Sequence, residues 1–164
     1  MPEQIELTDE MRAAIGRPQK WTYEVTTTGV RGFARGVGYQ DRVYFDQASA
    51  AEAGYSSLPA PPCYLGTPVY IPGEVDETFS VPAIVSPSAA MFGLQNVLDG
   101  GTETTYVRPV VAGDVLTATH QISDLTPKQS KALGGGILIV STTSELHDET
   151  GELVATQRSQ VIFY

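Results

Sequence analysis

The last third of the chain limits the fold more than any other stretch. "TETTYVRPVVAGDVLTATHQISDL", "GGILIVSTTSELHD" and "ELVATQRSQVIFY" are long runs rich in β-branched and aromatic residues, the composition that a pleated, half-buried surface favours. Alternation places Leu116, Ala118, His120 and Ile122 on one face, and Leu138, Val140 and Leu146 on one face of the next run. A period of two is expected where one side of a sheet is buried and the other is wet. Inside the first run "PVVAGDV" supplies a Gly-Asp turn between two strands, "TPKQSKALGGG" reads as a flexible loop before the next strand, and "DETG" reads as the turn joining the last pair. The expectation is a long antiparallel meander.

The first half reads differently. Thr8 ahead of "DEMRAAIG" is an N-cap followed by two acids in the first turn and by Gly16 as the stop, so residues 1–16 form a helical lead-in. "WTYEVT" has strand composition, and the apolar residues Val30, Phe33, Ala34 and Val37 recur at helical spacing. Asp46 is placed to cap "QASAAEA", with Gly54 suited to the left-handed position that ends a helix over 47–53.

From Leu58 to Pro87 seven prolines punctuate an apolar, aromatic text. Proline removes a donor and clashes with the preceding turn, so no uninterrupted helix can run through Pro68 or Pro72. The segment is too apolar for a linker, and it should wrap the body of the domain or line a cavity. "SPSAAMFGLQNVLDGG" then reads as a helix with Ser86 as cap, Pro87 in its first turn and "DGG" as its end. A strand, helices, a proline-rich wrap, another helix and a run of strands make an α+β pattern with one sheet and a helical layer. At 164 residues the chain fits one domain, 1–164.

Charge and cysteine content exclude several function classes. Ten Lys plus Arg stand against nineteen Asp plus Glu, a formal charge of -9, and the basic residues form no cluster. Nucleic acid and an anionic membrane surface are therefore not expected partners. One cysteine, Cys63, rules out an intramolecular disulfide framework and fits a reducing, cytoplasmic setting. In "PAPPCYLG" it reads as a buried apolar filler. No basic-then-apolar leader and no window of about 18 apolar residues is present, so the expectation is a soluble, unprocessed protein.

The options for general acid–base catalysis are few, because the sequence has only two histidines. His120 lies mid-strand on an apolar face, where a structural, hydrogen-bonded imidazole competes with a ligand or base. His147, at the mouth of the last turn, reads as solvated. The two have no metal-ligand spacing, so no metal is expected. No "GxSxG" and no phosphate-loop context occur. Asp46 reads as the helix cap. Asp41 is the remaining candidate base, against a turn or surface role.

"YFDQASAAEAGYSSLPAPP", followed by the strand-rich "LDGGTETTYVRPVVAGDVLTATHQISDL" and the closing "GELVATQRSQVIFY", resembles the N-terminal, FAS1-type dehydratase domain of the MaoC-like dehydratases. The resemblance runs from about Ile15 to Tyr164. It implies a single hot dog domain, an antiparallel sheet wrapped around a central helix that 58–87 would replace in shortened or broken form. In the family's catalytic members an Asp-x-Asn-Pro-x-His signature supplies the Asp and His that activate water during hydration of a trans-2-enoyl thioester. Laid on this sequence, the histidine position falls at Phe45 and the aspartate position at Gln40 or, with a one-residue slip, Asp41. Arg42 and Val43 stand where Asn and Pro would be. Loss of one member of such a pair removes a factor of about 10² to 10⁴ in rate.

The resemblance therefore implies the half of a double hot dog enoyl-CoA hydratase that has lost the dyad and houses the acyl tail. Tyr64, Val69, Tyr70, Phe92 and Leu94 are then candidates for the wall of an apolar tunnel. It would take a long or bulky acyl group, such as a steroid side chain or a mycolate-type lipid; the alternative is that these residues pack only on each other. The expected partner is a small MaoC-like chain carrying the dyad, in a heterodimer or heterotetramer. Coenzyme A would enter only as part of the substrate and no resident cofactor is expected. Lys128 and Lys131 are candidates for its phosphates, against plain solvated lysines. Two other readings stand beside this one: a homodimer that binds an acyl thioester or docks on a thiolase-like partner without catalysis, and a self-sufficient hydratase or thioesterase using Asp41 or His120.

Overall fold

The computed structural model describes residues 5–66, 94 and 96–164. Helix α1 (Asp9–Ala14) starts at Thr8, whose hydroxyl accepts from the Met11 amide at 3.2 Å. It is followed by Gly16 at φ 76°. Strand β1 (Gln19–Glu24) leads to helix α2 (Thr27–Gly36), which is capped by Thr26 and buries Val30 and Ala34. A glycine is required early in α2: a Cβ on Gly29 would lie 2.6 Å from the Tyr64 hydroxyl. A 3-10 turn at Arg42–Tyr44 precedes helix α3 (Gln47–Glu52). Strands β2 (Val97–Tyr106), β3 (Val115–Ser130), β4 (Gly135–His147) and β5 (Leu153–Phe163) complete the sheet.

All pairings are antiparallel, in the order β1-β3-β4-β5-β2. The meander holds for β3, β4 and β5, and the predicted inner faces are correct: Leu116, Ala118, His120, Ile122, Leu138, Val140 and Leu146 are all buried.

Three expectations are corrected. "VLDGG" is strand rather than helix end, because its glycines serve a bulge: the register shifts between Asp99 and Gly101, Gly101 has φ 109°, and Asp99 accepts from its amide. Second, "PVVAGDV" does not join neighbouring strands. β2 pairs with β5 at one edge, and the chain then crosses to β3, where Val25 and Gly113 bond to hold β1 in place. Third, Thr126–Ser130 is not loop. It pairs with Ile139–Gly135, and only 131–134 turn. Pro127 is tolerated there because β1 reaches β3 no further than His120, and among the described residues no strand pairs with that side of β3 at Pro127, so no donor is needed there.

Of the proline-rich 58–87, residues 58–66 are described, and they do wrap the body. Leu58, Tyr64 and Leu65 are buried, and backbone bonds tie Ala60 to Val110 and Leu58 to Ala112. The predicted breaks at Pro68 and Pro72, and the helix predicted from Ser86, lie outside the described residues apart from the strand residues just named. Two apolar clusters cover one face of the sheet: one around Trp21, Tyr23, Leu116, Leu146 and Val154, the other around Met11, Leu94, Ile122, Leu138 and Phe163. Arg108 ties the β2–β3 crossover to the β4–β5 turn through Asp114 (2.9 Å) and Asp148 (3.3 Å).

Candidate active-site cleft

The loop after α2 is built from local hydrogen bonds that occupy its two carboxylates. Gly38, at φ 82°, turns the chain out of the helix. Asp41 is exposed and caps the 3-10 turn, accepting from the Val43 amide at 3.1 Å. The Arg31 Nε donates to the Phe45 carbonyl at 3.0 Å. Asp46 accepts from both the amide and the hydroxyl of Ser49 at 2.8 Å, and those bonds hold its carboxyl below the usual carboxylate range. The cap predicted for α3 is thus observed, as is Gly54 beyond it at φ 90°.

This loop and the proline-rich strap enclose a cleft of about 180 Å³, whose lining includes Tyr44, Tyr55 and Tyr106 with Pro59, Pro62 and Pro109. Tyr44 leans on Tyr39, ring centroids 5.2 Å apart. Burial, reinforced by Tyr39, Asp41 and Tyr55, raises its pKa. Tyr106, at the end of β2, donates to the Pro62 carbonyl at 2.6 Å. Burial and the neighbouring Cys63 push its phenol up to about 12. Among the described residues no carboxylate, histidine or lysine lines the cleft. With their pKa values raised, Tyr44 and Tyr106 stay protonated at neutral pH, so they can donate hydrogen bonds but cannot serve as bases.

The sequence-predicted residues fall in several places. Phe45 is half-buried beside the cleft-lining Tyr44. Tyr64 is buried in the first apolar cluster, edge-on to Phe33 at 5.6 Å, whereas Leu94 is buried in the second. Val69, Tyr70 and Phe92 lie outside the described residues. Lys128 is exposed near the end of β3 and Lys131 in the turn after it, and neither makes an ion pair among the described residues. Cys63 is exposed, not the buried filler expected, because the strap turns its neighbours Pro61 and Tyr64 inward instead. His120 is buried, its Nδ1 2.8 Å from the Ser144 hydroxyl. His147 is half-buried at the end of β4. Among the described residues no three His, Cys, Asp or Glu side chains gather as a metal group, and no helix is long and apolar enough to cross a membrane.

Sequence reasoning missed Tyr44, Tyr55 and Tyr106. Two of them flank the capped helix α3 closely, which was a usable signal. Tyr106 comes from a distant strand and carried none.

A family model described as the FAS1-like dehydratase domain region matches residues 13–157. A UPF0336 protein of Streptomyces griseus is 34% identical over 151 residues, covering 90% of this chain and 91% of that protein. A Thermomonospora curvata protein named "Probable enoyl-CoA hydratase alpha subunit" is 24% identical over 90% of this chain and 47% of its own length. Among solved structures, one titled "MaoC-like dehydratase" superposes with TM-score 0.73 at 24% identity, over 93% of this chain and 42% of that one. The ChsH1-ChsH2 complex of Mycobacterium tuberculosis gives 0.70 at 21% identity, over 93% and 85%. These likenesses identify the sheet as that of a hot dog fold.

Proposed function

Because this chain belongs to the FAS1-like dehydratase domain family, we propose that it is the non-catalytic, acyl-accommodating subunit of a heteromeric enoyl-CoA hydratase. The observation that carries this reading is the cleft at the end of the 38–46 loop, walled by tyrosines and prolines and with no carboxylate, histidine or lysine among its described lining residues. Asp41 and Asp46 are engaged as caps, Phe45 has no proton to exchange, and neither histidine lines the cleft. Hydration of a trans-2-enoyl thioester needs a base to activate water and an acid to protonate the α-carbon. Both would come from a partner hot dog chain carrying an Asp/His pair. That one similar fold is a complex of two chains, ChsH1 and ChsH2, supports such an arrangement.

In this reading the chain contributes apolar surface for a long or bulky acyl group such as a steroid side chain or a mycolate-type lipid. Tyr64 and Leu94, with Val69, Tyr70 and Phe92, supply part of it. Coenzyme A comes and goes with the substrate, its phosphates meeting Lys128 and Lys131.

The test is co-expression with a small MaoC-like chain that carries Asp-x-Asn-Pro-x-His, then hydration assays on short and bulky enoyl-CoAs. The pair should co-purify and hydrate the bulky substrate, with each chain alone slower by a factor of about 10² or more. Full hydration by this chain alone would overturn the reading. One contact favours a second reading: His120 and Ser144 are a base and a nucleophile within hydrogen-bond reach, 2.8 Å apart. Acyl-CoA hydrolysis by the isolated protein that disappears in His120→Ala would establish a thioesterase instead.

A further inference from the structure

The walls of the tyrosine-lined cleft are fixed before any ligand arrives. Tyr106 is pinned by its 2.6 Å bond to the Pro62 carbonyl, and the Tyr44 ring leans on that of Tyr39. The Tyr55 amide donates to the Ala50 carbonyl at 3.0 Å, just beyond the end of α3. Tyr55, Ala60 and Tyr106 pack against the first apolar cluster. The strap that carries Pro59 and Pro62 is tied to the β2–β3 crossover by the Ala60 amide, which donates to the Val110 carbonyl at 2.7 Å, and by a bridge between Pro59 and Val111. Side chains held in this way lose little freedom when a ligand binds, so less of the contact energy is offset by ordering.

The chemistry of the walls favours a positive guest. A tyrosine ring carries negative charge on its face, and three tyrosines line this one cavity. No Lys, Arg or His is among its described lining residues. After the bonds from Ser49, Arg42 and Arg31 help to hold the Asp46 carboxyl down, and Arg31 also donates to the Phe45 carbonyl. Asp41 lies near enough to Tyr44 to add, after burial and Tyr39, to the rise in its pKa. A field that opposes a negative phenolate favours a cation in the same place, and the whole chain carries a formal charge of -9.

The same walls discriminate between cations. A primary ammonium brings three N–H donors that need acceptors, yet no carboxylate is among the described lining residues. A quaternary ammonium has no N–H to satisfy, and its methyl groups suit the apolar surfaces of Pro59, Pro62 and Pro109. The cleft measures about 180 Å³, below the roughly 300–1,000 Å³ of pockets that take drug-sized ligands. A compact head group fits that volume better than a long chain.

We propose that the cleft is an aromatic cage in which Tyr44, Tyr55 and Tyr106 bind the trimethylammonium group of a small soluble ligand. The proposal goes beyond the acyl-accommodating role and does not depend on it. Tyr64 and Leu94, the described residues given to the acyl group, are buried in the two apolar clusters and do not line the cleft.

Choline, ethanolamine and 3,3-dimethylbutan-1-ol, the neutral isostere of choline, are titrated separately into the full-length chain, with affinity read from ligand-observed NMR. Choline should bind about 10-fold tighter than either of the others. Tyr44→Phe keeps the ring and should leave choline affinity within about 2-fold, whereas Tyr44→Leu should weaken it by about 5-fold. Equal affinity for choline and the neutral alcohol overturns the proposal, because the cleft then reads shape and not charge. Equal affinity for ethanolamine overturns it too, because any cation then satisfies an acidic protein. A choline preference that survives unchanged in a folded Tyr44→Leu variant places the cation elsewhere, with the same result. Should Tyr44→Leu fail to fold, Overhauser contacts between the choline methyl groups and the Tyr44 ring in the unaltered chain decide, and their absence overturns the proposal. Failure to bind free choline also overturns it, and phosphatidylcholine vesicles tested alongside show whether a lipid head group is taken instead.

Discussion

The cleft and the buried face of the sheet treat polar groups in opposite ways. In the cleft region the carboxylates of Asp41 and Asp46 sit near the surface and are engaged by amides two or three residues away. On the buried face of the sheet the polar groups that pair do so with other strands, and one buried donor, the Trp21 indole N–H, and one buried acceptor, the Gln19 amide oxygen, have no partner among the described residues. A capping carboxylate stabilises a turn wherever that turn occurs. A buried indole N–H without a partner lowers stability unless something else on or in the protein answers it. A chain-local role therefore explains the loop that resembles a catalytic one, and the unexplained chemistry lies on the sheet.

The comparison can be broken by substitution, and the largest effect belongs to the buried face of the sheet. Leu146→Ala, at a fully buried position between β3 and β5, should cost about 2–5 kcal/mol in a denaturant melt. Ser144→Ala removes one hydrogen-bond partner of a buried imidazole and should cost about 1–3 kcal/mol. A cost below that of an average surface change would mean that hydrogen bond is not under constraint. Gly29→Ala forces the Tyr64 hydroxyl to move from 2.6 Å and should lower stability by about 1–3 kcal/mol. Tyr64→Phe should relieve most of that loss, which a double-mutant cycle would read.

The cleft gives smaller and pH-linked effects. Tyr106 has a folded pKa of about 12 against an ordinary 10, so its contribution is present below pH 10 and is lost as pH rises towards 12. Tyr106→Phe should flatten that part of the stability profile. Asp148 behaves in the reverse sense. Chiefly the Thr150 hydroxyl, and after it the Glu152 amide and Arg108, hold its carboxyl at about 2. Its contribution is complete above the unfolded value of 3.8 and is lost as pH falls through 2, so Asp148→Asn should remove that acid limb. The smallest effect is expected for Asp41→Ala, within about 1 kcal/mol in stability and without effect on hydration by the assembled pair. A large loss of turnover would make Asp41 catalytic after all.

What the sequence by itself determined was mostly short-range. Thr8 and Asp46 as caps, Gly16 and Gly54 as helix ends, the "DETG" turn and the inward faces of β3 and β4 all follow from interactions within about four residues or from a period of two. The order of weak motifs also carried the family, and with it the hot dog sheet. Tertiary structure alone decided that "VLDGG" becomes an edge strand beside β5 and that "TPKQS" extends β3 past a proline. It also decided that Cys63 faces outward and that Tyr106 closes a cleft with Tyr44 and Tyr55. The physical reason is the same each time. A strand takes its backbone partners, and a cleft takes its walls, from residues tens of positions away. The same glycines or prolines serve a helix stop, a bulge or an open edge according to which strand arrives beside them.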